Sequence, residues 1–179
     1  MADVRSAVEV IRDELVVAFE QIQTANTLNG VAFRTTIHSV NTVYSGNGKM
    51  QEFPQLDIIF GKEKMVNKNS VRTVWNSEVE MGLIGYFKVS APSGSKYPMT
   101  VTGEEFLHDV KRVLVDLAIK QIANASNRWQ LVCPVDGVGF QIDRWMETDK
   151  AGNLMGMFGI KCIINSFFKD VNLRPEVPA

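Results

Sequence analysis

The chain has 179 residues, 45% hydrophobic and 22% charged, with 13 glycines and 6 prolines. Such a composition excludes a disordered chain, a collagen-like repeat and a disulfide-stapled miniprotein, and at this length roughly 70% of the unfolded surface can be buried. Nineteen Lys and Arg against twenty Asp and Glu leave a net charge of −1, so the whole molecule is no polycation built to coat nucleic acid, and binding must come from local patches.

No apolar run approaches the roughly 18 to 20 residues that span a bilayer. The N-terminal stretch MADVRSAVEVIRDEL carries acids and bases every few positions, unlike a signal-peptide core. The expectation is a chain made in a reducing cytoplasm, with no membrane partner. Cys133 and Cys162 lie in the apolar contexts LVCPV and IKCII, where free buried thiols are expected rather than a bridge.

Residues 3–24 read as an amphipathic helix. Val4, Val8, Ile11, Leu15, Phe19 and Ile22 recur at steps of three and four, with Asp3 as N-cap and turn residues over 24–30. Glu9, Arg12, Asp13 and Glu20 occupy the other face. Five acids and two bases give residues 3–24 a net charge of −3.

Strands follow. Residues 33–44 are rich in Thr, Val and Ile and end in the turn Ser45-Gly46-Asn47-Gly48. Residues 54–61, bounded by Pro54 and Gly61, read as a short strand buried on most of its surface. Val79, Met81, Leu83, Gly85, Phe87 and Val89 then alternate with Glu80, Gly82, Ile84, Tyr86 and Lys88, the pattern of a long half-buried strand. Ile84 and Tyr86 make its outer face partly apolar, which points to a covered surface.

Between these two strands, residues 62–76 read as a long loop of fifteen residues. It carries Lys62, Lys64, Lys68 and Arg72 against Glu63, a net charge of +3, together with Trp75. Hairpin loops usually run about two to five residues. This segment is either an arm gripping a neighbouring subunit or an acidic partner, or a solvated hairpin extension. The connection over 91–101 is a second exposed tip.

Thr102-Gly103-Glu104-Glu105 fits a capping box that opens a second helix. Phe106, Val110, Val113, Leu114 and Leu117 line its inner face, Lys111 and Arg112 stay outside, and residues 124–127 end it. Residues 128–134 are too apolar for an idle loop and fit an extra buried strand. Last comes a hairpin, 138–146 and 154–168, in which Phe158, Ile160, Cys162 and Ile164 alternate. The tail over 172–179 should be extended.

The expected fold is α+β, a single domain over residues 1–171. Two helices pack on one face of an antiparallel or mixed sheet, in the order α-β-β-β-α-β-β. No catalytic, cofactor-binding or metal-binding residues are expected. His38 and His108 are isolated, the cysteines lack zinc-ligand spacing, and no glycine loop has phosphate-binding spacing. Asp143 and Glu147 read as solvated hairpin charges.

Two patterns carry a family likeness. One is the strand with the pattern Pro, apolar run, Gly-x-Glu, here residues 54–61 with Glu63. The other is a helix whose run is Glu104-Glu105-Phe106-Leu107-His108-Asp109-Val110-Lys111-Arg112-Val113-Leu114. With the order of elements, these make the chain similar to the tail terminators and related minor tail proteins of long-tailed bacteriophages. Residues 62–76 depart from that family's pattern.

The resemblance implies a virion subunit of a hexameric ring. That ring caps the finished tail tube, stops its polymerisation and meets a head-side connector, while DNA passes through the lumen without sequence-specific contact. It brings no cofactor and no catalytic residue. The lateral contacts expected of a ring fall to three surfaces: Glu9, Asp13 and Glu20 of the acidic helix; Lys62, Lys64, Lys68, Arg72 and Trp75 of the basic segment; and the Ile84/Tyr86 face. The acidic helix and basic segment are expected to meet between neighbours. Another neck role, as stopper or tail-completion protein, is the nearest alternative. A small single-strand nucleic-acid-binding domain, resting on the basic segment and Trp75, is the alternative of a different class.

Overall fold

The structure, a computed structural model, describes residues 7–43, 52–66, 74–89, 101–123, 129–131, 141–148 and 154–169. In chain order these form helix α1 (Ala7–Glu20), the short strands β1 (Thr27–Leu28), β2 (Val31–Ala32) and β3 (Ser39–Asn41), and the long strands β4 (Gln55–Val66) and β5 (Val74–Lys88). Helix α2 (Val101–Ala123), strand β6 (Trp129–Leu131) and the pair β7 (Gln141–Thr148) and β8 (Leu154–Lys169) follow.

Period-two alternation builds the main sheet, whose order is β3-β4-β5-β8-β6 with β7 also paired to β8. β3 runs parallel to β4 and every other pairing is antiparallel, so the sheet is mixed. β5 pairs with β8 from Val74↔Lys169 to Lys88↔Met155. The opposite edge of β8 is shared, with β7 taking residues 154–161 and β6 residues 164–166.

One face of this sheet carries the core. Leu56 and Ile58 of β4, Val79, Met81, Leu83 and Phe87 of β5, and Phe158, Ile160, Cys162 and Ile164 of β8 all point there. Ile11, Leu15 and Phe19 of α1 and Phe106, Val110, Val113 and Leu114 of α2 cover them. Burying each large aliphatic or aromatic side chain contributes about 1.5–3 kcal/mol before chain entropy is counted. Phe106 meets Phe158 edge-on, with ring centroids 5.1 Å apart. Both helices therefore lie on one face of the sheet, and the fold is α+β as the patterning predicts.

Several boundaries differ from the sequence reading. α1 stops at Glu20, where the Ile22 N–H bonds the Phe19 carbonyl in a tight turn; residues 1–6, with Val4 and the Asp3 cap, lie outside the described residues. α2 begins at Val101, so Thr102 sits inside the first turn instead of capping it. The expected strand over 33–44 shrinks to β3. The N–H groups of Arg34 and Thr35 donate to the buried Asp109 carboxylate at 2.7 and 3.0 Å, so they are spent on a side chain instead of a strand ladder. Upstream, Leu28-Asn29-Gly30-Val31 forms a two-residue hairpin. Asn29 and Gly30 both take positive φ, 52° and 76°, as an Asn-Gly turn demands.

The largest correction concerns residues 62–76. Strand β4 does not end at Gly61. After a register shift between Phe60 and Glu63, the pairs Glu63↔Val79, Lys64↔Glu78, Met65↔Ser77 and Val66↔Asn76 extend the hairpin. Lys62, Lys64 and Trp75 are thus strand residues, and of the expected loop only 67–73 lies outside the described residues. Charged residues alternating along paired strands are a solvated ladder, not a breaker of one. The extra strand expected over 128–134 is β6, with Trp129 and Leu131 buried. The tip at 91–100, the turns at 45–48 and 149–153, Cys133 and the tail at 172–179 lie outside the described residues.

Candidate interaction surfaces

The acidic surface lies on the outer side of α1. Glu9, Asp13, Val17 and Glu20 fall at steps of four, four and three, opposite the buried Ile11-Leu15-Phe19 stripe. Val17 is 69% exposed among these acids, and Asp13 lies 3.3 Å from Arg12. Glu14, on the flank, accepts a 2.6 Å hydrogen bond from the indole N–H of Trp129, which ties β6 to α1.

The segment expected to be basic forms the far part of the β4–β5 hairpin, where Lys64 is paired in register with Glu78. Lys62 and Lys64 are exposed there. Glu63, between them, accepts a hydrogen bond from the Ser77 hydroxyl across the strand pair. Trp75 is paired in register with Phe168, but its side chain, like Lys68 and Arg72 altogether, lies outside the described residues.

The third surface needs correcting. Ile84 and Tyr86 do share the helix-free face of the sheet, as the alternation predicts, yet Tyr86 is fully buried within the chain itself. It packs with Met155 and Met157, and Phe53, Ile84 and Trp145 close over this small second cluster. Tyr86 is therefore removed from any list of residues open to a partner, because β7 brings Trp145 across Met157. What stays accessible is the adjoining part of the face. Ile59, Ile84 and Trp145 wall a groove of about 300 Å³ whose floor is Gly61, Gly82 and Gly159. Glu80, Lys161 and Asp143 stand on its margin, with Glu80 and Lys161 3.9 Å apart.

A fourth surface went unread in the sequence. Val115 and Ile119 occupy the outer side of α2 and are exposed, as is Val31 on the β1–β2 hairpin beside them. With His108 and Lys111 they border a shallow groove of about 400 Å³. The signal was present: two β-branched residues four apart on the face opposite Phe106, Val110 and Leu114. Lys111 is placed outside as expected, but Arg112 is not. Its guanidinium folds onto the carbonyls of Leu28, Val31 and Ala32 at 2.8–3.1 Å.

Burial pushes the Cys162 thiol up to about 12, since a thiolate in the core would lose its hydration. A thiol so held is no nucleophile at neutral pH. Among the described residues no group of three His, Cys, Asp or Glu is placed to hold a metal ion, and no helix is long and apolar enough to cross a membrane. What the four surfaces offer chemically is shape, apolar contact and charge. No known protein-family model matches the chain, and no curated protein is significantly similar to it.

Proposed function

We propose that this chain is a structural subunit that assembles with its own copies into a ring, in the manner of the tail terminators of long-tailed bacteriophages. The ring, a hexamer by that resemblance, caps the tail tube, stops its growth and presents a surface to a head-side connector, with DNA passing through the lumen. The observation that carries this reading is the placement of uncovered apolar surface on both sides of a two-layer subunit. Ile119, 62% exposed, lies on the helix side, and the Ile59/Ile84/Trp145 groove lies on the open sheet side. A head-to-tail contact uses two different surfaces of each copy, and uncovered apolar residues on both sides supply a candidate for each. The acidic outer stripe of α1 and residues 62–76, net +3 in sequence, add a second complementary pair, which serves register and orientation more than affinity.

The test is electron microscopy of the purified protein, alone and mixed with tail-tube protein. Rings that dock at one end of the tube are the expected result. Persistent monomers that bind no tube refute the reading. Reversing Lys64, Lys68 and Arg72 to Glu should weaken the oligomer, and an unchanged mass by light scattering would remove the charged pair from the contact.

A further inference from the structure

The groove on the open sheet face and the outer stripe of α2 are both apolar and uncovered. Gly61, Gly82 and Gly159, on the neighbouring strands β4, β5 and β8, leave the groove floor without side chains between Ile59, Ile84 and Trp145. On the opposite side of the subunit, Val115 and Ile119 stand out from α2 as a two-residue ridge, with Val31 alongside. A recessed apolar surface on the sheet layer and an exposed apolar stripe on the helix layer thus lie on opposite layers of the described residues.

They are also matched in charge. Glu80 and Asp143 outnumber Lys161 at the margin of the groove. Along the ridge Lys111 and Lys120 outnumber Asp116, which is already engaged by Lys120 at 2.6 Å. A like-charged partner on either side would cost affinity, whereas this pairing sets acid against base at the rim of an apolar centre.

From these two correspondences we infer that the Val115/Ile119 ridge of one copy seats in the glycine-floored groove of the next. The occupant of the groove is a second copy of this chain, and the inference rests on the self-assembly reading above. Because ridge and groove lie on opposite layers, each copy uses its ridge toward one neighbour and its groove toward the other. Such a heterologous contact propagates past a dimer and closes when the rotation per copy permits.

Gly82 supplies the sharpest variant. It lies in extended β5 with no positive φ, and a Cβ built on it meets nothing closer than the Ile59 carbonyl oxygen at 4.0 Å. A Cβ is therefore accommodated by the fold and valine is favoured in a strand, while its methyls occupy the groove. Gly82→Val should melt at or above the wild-type temperature while losing the oligomer at least tenfold in midpoint concentration. Ile119→Lys, on the ridge, should do the same from the other side. The contact itself is read by oxidative trapping of an Ile84→Cys/Ile119→Cys double variant, with wild-type protein and each single variant as controls.

A ladder of crosslinked species extending beyond the dimer, seen only with the double variant, supports the pairing. Rings that form normally in Gly82→Val and Ile119→Lys, with no ladder, overturn the pairing and leave the assembly reading intact. Crosslinking that stops at dimers overturns it in favour of a two-fold contact. Rings that persist in Gly82→Val but no longer dock on tube protein overturn it by giving the groove to the tube. A wild-type protein that is monomeric at every concentration, alone and with tube, overturns both.

Discussion

The carboxylate of Asp109 and the guanidinium of Arg112 lie 3.3 Å apart on successive turns of α2, and together they fasten the segment from Leu28 to Thr35. One Asp109 oxygen accepts from the Arg34 and Thr35 N–H groups and from the Thr35 hydroxyl, at 2.7 to 3.0 Å. Arg112 donates to three carbonyls of the β1–β2 hairpin and stacks 5.1 Å over the Phe33 ring. Neutralising both charges within one cluster is what makes an Asp with no exposed surface tolerable. Both are charged positions of the helix run from Glu104 to Leu114, and their work is structural.

Asp109→Ala strands the buried Thr35 N–H and the partly buried Arg34 N–H and leaves Arg112 without its counter-charge. The variant should lose about 3–5 kcal/mol, as buried pairs do when one partner goes. Urea unfolding checks this, and Asp109→Asn, which keeps an acceptor, should lose less. Equal losses in the two variants would mean that the charge contributes nothing.

The indole of Trp129 crosses from β6 to Glu14 on α1. Trp129→Phe keeps the buried ring and deletes the donor, and should cost about 2 kcal/mol, the range for a hydrogen bond to a charged acceptor. A double-mutant cycle with Glu14→Gln isolates the coupling, and additive effects would deny that the bond joins the two elements.

Phe87 lies in a notch that only glycine leaves open. A Cβ at Gly103 would approach its ring to 2.4 Å and one at Gly156 to 2.2 Å. Helix propensity favours Gly103→Ala by about 1 kcal/mol, but overpacking of this order costs about 1–3 kcal/mol. The net effect should be destabilising, and Phe87→Leu should restore part of the loss in the double variant. A more stable Gly103→Ala protein would show that α2 can lift from the sheet at no cost.

Cys162 should resist thiol reagents in the folded state at pH 8 and react only on unfolding. Its pKa is raised in the fold from 9.0 to about 12, so the unfolded chain ionises first. The stabilising contribution is complete below pH 9 and declines as pH rises from 9 toward 12, by at most about 1.4 kcal/mol per pH unit. Cys162→Ala should flatten this alkaline decline, although it lowers stability at neutral pH through the cavity it leaves. An unchanged alkaline slope in that variant would assign the decline to other groups.

The helices, the long strand β5, the β7–β8 hairpin and the inward set of Phe158, Ile160, Cys162 and Ile164 were legible because each follows from a period of 3.6 or 2 within one segment. Residues 33–38 were misread for the opposite reason. Their β-branched composition favours a strand, but Asp109, 74 residues away from Thr35, takes their backbone donors. The basic segment was misread as a loop because charged residues mask pairing that depends on the partner strand. Tyr86 could be placed on the outer face by alternation alone, while its burial depends on Trp145 arriving from β7.

The residue pattern by itself determined an α+β fold with opposite local charges at α1 and at residues 62–76, and an overall balance near zero. Periodicity and composition are local properties, and they suffice for that much. Only the tertiary structure decided which apolar residues remain uncovered, that Ile84 borders a groove while Tyr86 closes beneath Trp145, and that Val115 and Ile119 face outward on the opposite layer. Exposure is a property of what packs against a residue, and the packing partners here come from distant parts of the chain.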